Sequence, residues 1–235
     1  MRDFLGEAFA TQPAPGGLVV LGSAALALAL VWLRPAWSLT RHLVTVVHEG
    51  GHGVVAMLGG RRLSGIRLHS DSSGVTVSRG RPTGPGMIAT AAAGYLGPAL
   101  LGLVAALVVA SGYALAMLWA ILVGLTLLLL QIRNFFGLWV VLLCGAGVVV
   151  VTGWLDESVQ VAVAHVFAWF LLLAAPRPVL ELSQLRRRGG GRGSDADQLA
   201  RLTVLPAAVW MAVFLAVTTA ALLAGGALLL GSAQL

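Results

Sequence analysis

Residues 45–60 read TVVHEGGHGVVAMLGG, with His48, Glu49 and His52 set among aliphatic and glycine residues. Only 10% of the 235 residues are charged, and 58% are hydrophobic. Apolar runs recur along almost the whole length instead of forming one amphipathic core, which is the pattern of an α-helical polytopic membrane protein. Titratable groups inside such a run are costly, by about 2.5–3.5 kcal/mol per charged residue on insertion scales, so they point to function by default.

Outward from this stretch, runs of roughly 17–25 residues suit transmembrane helices. They are Gly17–Trp32, Trp37–Leu58, Met87–Ser111, Tyr113–Gln131, Phe135–Trp154, Val159–Ala175 and Thr203–Gly231. The expectation is thus about seven spans in one integral membrane domain, 1–235. The leading MRDFLGEAFATQPAPGG has mixed charge and is rich in Pro and Gly, unlike the basic flank of a signal peptide, so the first helix is expected to be retained.

All 15 basic residues are arginines, and they flank apolar runs. Nucleic-acid binding, which needs a basic face on a soluble domain, is disfavoured. With spans alternating, Arg2, the Arg61–Arg81 group, Arg133 and the Arg177–Arg201 group fall on one side, and only Arg34 and Arg41 on the other. The positive-inside bias then predicts a cytoplasmic amino terminus. Cys144 is the only cysteine, which excludes an internal disulfide and a multi-cysteine metal site.

Two segments break the helical pattern. In RLSGIRLHSDSSGVTVSRG, short alternations flank the turn-rich SDSSG, predicting a β-hairpin over 63–78 directly after the histidine helix. His69 and Asp71 belong to its turn. RRRGGGRGSDAD lies within a segment, 177–201, that reads as an Arg/Gly-rich cytoplasmic loop near anionic headgroups.

On a helix, His48 and His52 lie one turn apart on one face, where both imidazoles reach one cation. Glu49 is angled beside that face, placed to take a proton from an activated water without itself being a ligand. This is the HExxH arrangement of zinc hydrolases, so Zn2+ is the expected cofactor.

The residues resemble the site-2 proteases, intramembrane zinc metallopeptidases, and in particular their shorter branch common in actinobacteria. The similarity rests on VVHEGGHGVVAMLGGR, the strand-like GIRLHSDSSGVT, ATAAAGYLGPALLG, RNFFG and SDADQLARLTVLP. It implies hydrolysis of peptide bonds in or near the membrane segments of tethered proteins or peptides. His48 and His52 would be zinc ligands, Glu49 the catalytic base, and an edge of the hairpin would receive an extended substrate.

Better-studied members supply a third ligand as the aspartate of an Asn-Pro-Asp-Gly-type element. RNFFG keeps Asn134 and Gly137 without that aspartate. The third-ligand candidates are Asp195, which lies on the expected cytoplasmic side and leads, its neighbour Asp197, and His165 within a later helix. Asn134 could hydrogen-bond substrate or an oxyanion, or cap a helix. A non-catalytic scaffold that binds membrane segments is the alternative reading, and the missing aspartate motif is what sustains it. ATAAAGYLGPALLG reads as a small-residue packing surface, with Pro98 kinking the helix.

Overall fold

Proline fixes its own φ and offers no amide hydrogen, so a proline after an apolar run readily opens a new helix. Pro35 does this in the computed structural model of the chain, which describes residue 6 and residues 9–233. Helix α1 (Gly17–Trp32) stops at Leu33, and α2 (Arg34–Leu58) leaves it at 96°. There follow β1 (Arg62–Leu68), β2 (Gly74–Arg79), α3 (Pro85–Ala110), α4 (Ala114–Leu129), α5 (Phe135–Trp154), α6 (Glu157–Ala174), α7 (Pro176–Arg187), α8 (Asp195–Leu202) and α9 (Ala207–Gly231). The expected helical architecture with one short antiparallel hairpin holds.

The contacts at the two ends of the bundle tell its faces apart. At the far face, the Gln12 backbone amide donates to Gly112 O at 2.8 Å, and Gln12 Oε1 accepts from the Leu115 amide at 3.2 Å. Ser232, just past α9, lines a cavity there with Gln12 and Gly112. At the near face, Gly59 after α2 lies against Gly86 of α3. The indole of Trp37, at the start of α2, donates to Glu181 of α7 at 2.9 Å. The carboxyl end of α2 thus lies beside the start of α3, and its amino end lies beside α7.

The expected count of seven spans is not confirmed. Among the described residues, four helical stretches are long and apolar enough to cross a membrane: α3, α5, α6 running on into α7, and α9. The bent α1–α2 pair makes at most a fifth. The 16-residue α4 runs between the faces but, at about 24 Å, falls short of a full span. Carrying Arg34, Arg41, His42, His48, Glu49 and His52, α2 is too polar along one side to cross as an independent helix.

Gln12 stands at the end of the bundle opposite the hairpin, and Arg41 of α2 pairs with Glu181 of α7 at 3.5 Å.

The central helix is α3, and close approach sets its packing. A Cβ at Gly51 of α2 would lie 2.8 Å from Ala93 O, and one at Gly102 would lie 3.0 Å from Leu171 Cβ of α6. Small residues let these backbones meet without a hydrophobic drive from water.

In the hairpin, Ile66 faces Thr76 and Leu68 faces Gly74. Ile66 gives its amide to Gln131 O at 2.8 Å and accepts from the Arg133 amide at 2.9 Å. Residues 131–133 thus close the outer edge of β1. With both its backbone groups turned away from β2, Ile66 makes a non-hydrogen-bonded pair with Thr76, whose own N–H and C=O then face outward from β2. Among the described residues, the only strand beside β2 is β1.

Segment 177–201 is not the structureless loop expected from its glycines and arginines. Val179 and Leu182 of α7, and Ala196 and Leu199 of α8, are buried against Phe214 of α9 and Ile88 of α3. Two apolar anchors per helix suffice once a partner is present, and so short a pattern is hidden among charges. Between the helices, Gly189, Gly191 and Gly193 take φ of 85°, 71° and 86°, which favours glycine.

Candidate metal centre

Helical spacing on α2 brings the His48 and His52 rings to a centroid separation of 4.7 Å, with their Nε2 atoms 3.1 Å apart. His52 Nδ1 lies 2.7 Å from Thr90 O of α3. A carbonyl only accepts, so Nδ1 carries a ring proton, and Nε2 is the atom left to face Asp195 and a cation. A partner of this kind orients metal-binding imidazoles. Thr90 is itself tied back by its hydroxyl to Gly86 O at 2.7 Å.

Asp195 arrives from the other end of the chain as the first residue of α8. Its Oδ2 lies 3.1 Å from His48 Nε2 and 3.4 Å from His52 Nε2. Burial acts to raise the Asp195 carboxyl pKa, but its contacts with the two histidines outweigh that and hold it well below the usual carboxylate range. Asp197 does different work. It closes a capping box with Ser194 and pairs with the Arg186 guanidinium at 2.8 Å, fixing the turn that presents Asp195.

Three donor atoms separated by 3.1, 3.1 and 3.4 Å suit one cation. Zinc bond lengths near 2.0–2.1 Å in a tetrahedron place ligand atoms about 3.3 Å apart. The space beside them is kept open by Gly94 of α3. A Cβ there would fall 2.5 Å from His48 Nε2, and nearer still to His52 Nε2. The donor set and this cradle fit zinc.

Glu49 is buried on the hairpin side of α2. Its Oε2 accepts from the Thr76 hydroxyl at 2.6 Å, and a carboxylate oxygen lies within 4.8 Å of the histidine nitrogens. The Asn134 amide is turned wholly to β1, accepting from the Leu68 amide at 3.1 Å and donating to Leu68 O at 2.6 Å. It pins the hairpin and points its polar atoms at that backbone.

His165 does not join the cluster. It is 1% exposed on α6, its Nδ1 is 2.8 Å from Val161 O, and it lines a cavity of about 200 Å³ at the far face with Gln12, Ser111 and Ser232. Of the three third-ligand candidates, the structure brings only Asp195 to the histidines. Gly94, Thr90, Gly74 and Thr76 escaped the sequence reading, since small residues on α3 look like packing and hairpin residues look like scaffold.

A bundle of apolar, membrane-capable helices with a His–Glu–His cluster defines an integral membrane protein with residues compatible with a metal. Residues 21–225 match the family model described as peptidase M50B-like, and the chain belongs to that family. The site-2 protease-like resemblance seen in its motifs is therefore borne out. No curated protein and no solved structure matched the chain.

Proposed function

We propose that the protein is an intramembrane zinc endopeptidase, a single domain over 1–235 that cleaves membrane-tethered proteins or peptides within or near their membrane segments. The observation that carries this reading is the convergence of Asp195 on His48 and His52, with Glu49 held beside them. It offers a carboxylate beside the histidines, where the missing aspartate motif had sustained the scaffold reading.

In this proposal His48, His52 and Asp195 hold the ion, and Glu49 is the base. When bound, zinc supplies Lewis acidity that lowers the pKa of a water molecule to about 7 and polarises a carbonyl. Glu49 Oε1, which the Thr76 hydroxyl leaves free, accepts the proton of the attacking water and passes it to the leaving amine. The substrate must be unwound, because a helical peptide bond is shielded. The outer edge of β2, with the Thr76 backbone facing it, offers such a segment a pairing surface. Asn134 acts through the hairpin as a positioning residue.

The arginine asymmetry supports a cytoplasmic near face. The site then draws its water from the cytoplasm of a bacterial cell, and the segment around Gln12 lies outside the plasma membrane.

The test is cleavage of a membrane peptide by protein reconstituted with zinc. Glu49→Gln should keep about one zinc per chain and lose cleavage, because its amide cannot accept the proton. His52→Ala should lose both. Persistent cleavage by Glu49→Gln refutes the mechanism, whereas a wild type that binds membrane peptides without cutting them returns the protein to the scaffold reading.

A further inference from the structure

A glutamate on a helix has three side-chain torsions and, beside a metal site, no inherent reason to hold one of them. Glu49 is held from the hairpin. Thr76 Oγ1 lies 2.6 Å from Glu49 Oε2 and 3.0 Å from the Glu49 backbone oxygen. Two residues earlier on the same face of β2, Gly74 runs against the side chain: a Cβ there would lie 2.5 Å from Glu49 Cγ and 2.7 Å from Oε1. Val75 and Val77, on the opposite face, are exposed. One strand face is thus shaped to the carboxylate, with a hydroxyl on one oxygen and a bare backbone against the other.

We propose that Gly74 and Thr76 are positioning residues that set the rotamer of Glu49 and choose which of its oxygens meets the reacting water. This rests on the endopeptidase reading above. The Thr76 hydroxyl occupies Oε2 and leaves Oε1 for proton transfer, while Gly74 keeps the approach to Oε1 clear. The same residue, Thr76, turns its backbone N–H and C=O to the open edge of the strand. A peptide paired there is held in register with the oxygen that receives the proton. Base orientation and substrate register therefore come from one strand, and the enzyme reads extended backbone at this position ahead of side-chain identity.

The experiment compares Thr76→Val, Thr76→Ser and Gly74→Ala with wild type in lipid nanodiscs. It measures kcat and KM for a membrane peptide, zinc per chain, and peptide affinity in zinc-free protein. Removing the hydroxyl while keeping the shape should lower kcat about 10–100-fold. KM, zinc content and zinc-free peptide affinity should stay within about threefold of wild type, since the residue acts on orientation and not on uniform binding. Thr76→Ser, which restores the hydroxyl, should recover most of kcat. Gly74→Ala should lower kcat with zinc retained. Wild-type kcat in Thr76→Val, no recovery in Thr76→Ser, or loss of zinc in Thr76→Val overturns the assignment. A wild type that cleaves nothing overturns the endopeptidase reading and this inference together, and that result is separate from any variant effect.

Discussion

His48 Nε2 stands 3.1 Å from Asp195 Oδ2, joining the middle of α2 to the first residue of α8. Asp195→Ala should therefore weaken zinc binding by at least about 100-fold, more than the loss of an outer partner to a metal ligand usually costs. Asp197→Ala removes the capping box and the Arg186 pair, which costs about 1 kcal/mol locally, and should weaken zinc by only about tenfold. Elemental analysis of both variants checks the pair. Equal losses would mean that Asp195 acts only through the fold of its turn.

Gly94→Ala is expected to empty the site while leaving the bundle folded. Its new Cβ would fall within contact of both histidine nitrogens, at the position an ion needs. Alanine favours a helix over glycine by about 1 kcal/mol, which offsets part of the cost of moving the two rings, so the bundle should stay folded as zinc is lost. Gly124→Ala, which meets nothing within 4 Å, is the control. Zinc retained at wild-type level in Gly94→Ala would contradict the placement of the ion between these rings.

Asn134→Ala breaks both hydrogen bonds to the Leu68 backbone, a loss of about 1–3 kcal/mol in hairpin anchoring. Zinc should remain while peptide cleavage falls, and hydrogen exchange at β1 should accelerate. Direct work on the substrate by Asn134 would instead lower cleavage with β1 protection unchanged.

Sidedness is open to thiol labelling in a Cys144→Ser background. Cysteine introduced by Pro13→Cys or Ser232→Cys should react with an impermeant maleimide in intact cells, and Ser72→Cys only after permeabilisation. Labelling of Ser72→Cys in intact cells would put the metal face outside.

Much of this was legible in the residues, and the misses have physical causes. The HEGGH spacing fixes two imidazoles on one helical face, and the strand alternation around SDSSG forecast the hairpin within a residue or two of its ends. Asp195 was legible as a candidate because carboxylates are scarce in this chain. Its capture by the histidines depends on α7 and α8 folding, and those helices draw stability from α3 and α9 more than from their own sequence. The 96° turn at Leu33 was invisible to hydropathy, which registers two apolar runs without their relative direction. Thr76 was equally hidden, since the partner that gives it meaning, Glu49, is met across a tertiary contact.

The right-angle turn at Leu33 bears on how the molecule is made. A nascent α2 carries arginine, histidine and glutamate and has no lasting place in lipid by itself, so it waits at the membrane surface until α3 has been threaded and Gly51 can seat against Ala93 and Gly97. Asp195 emerges from the ribosome later still. A chain that ends before Asp195 therefore carries the whole HEGGH motif without the carboxylate that meets its histidines.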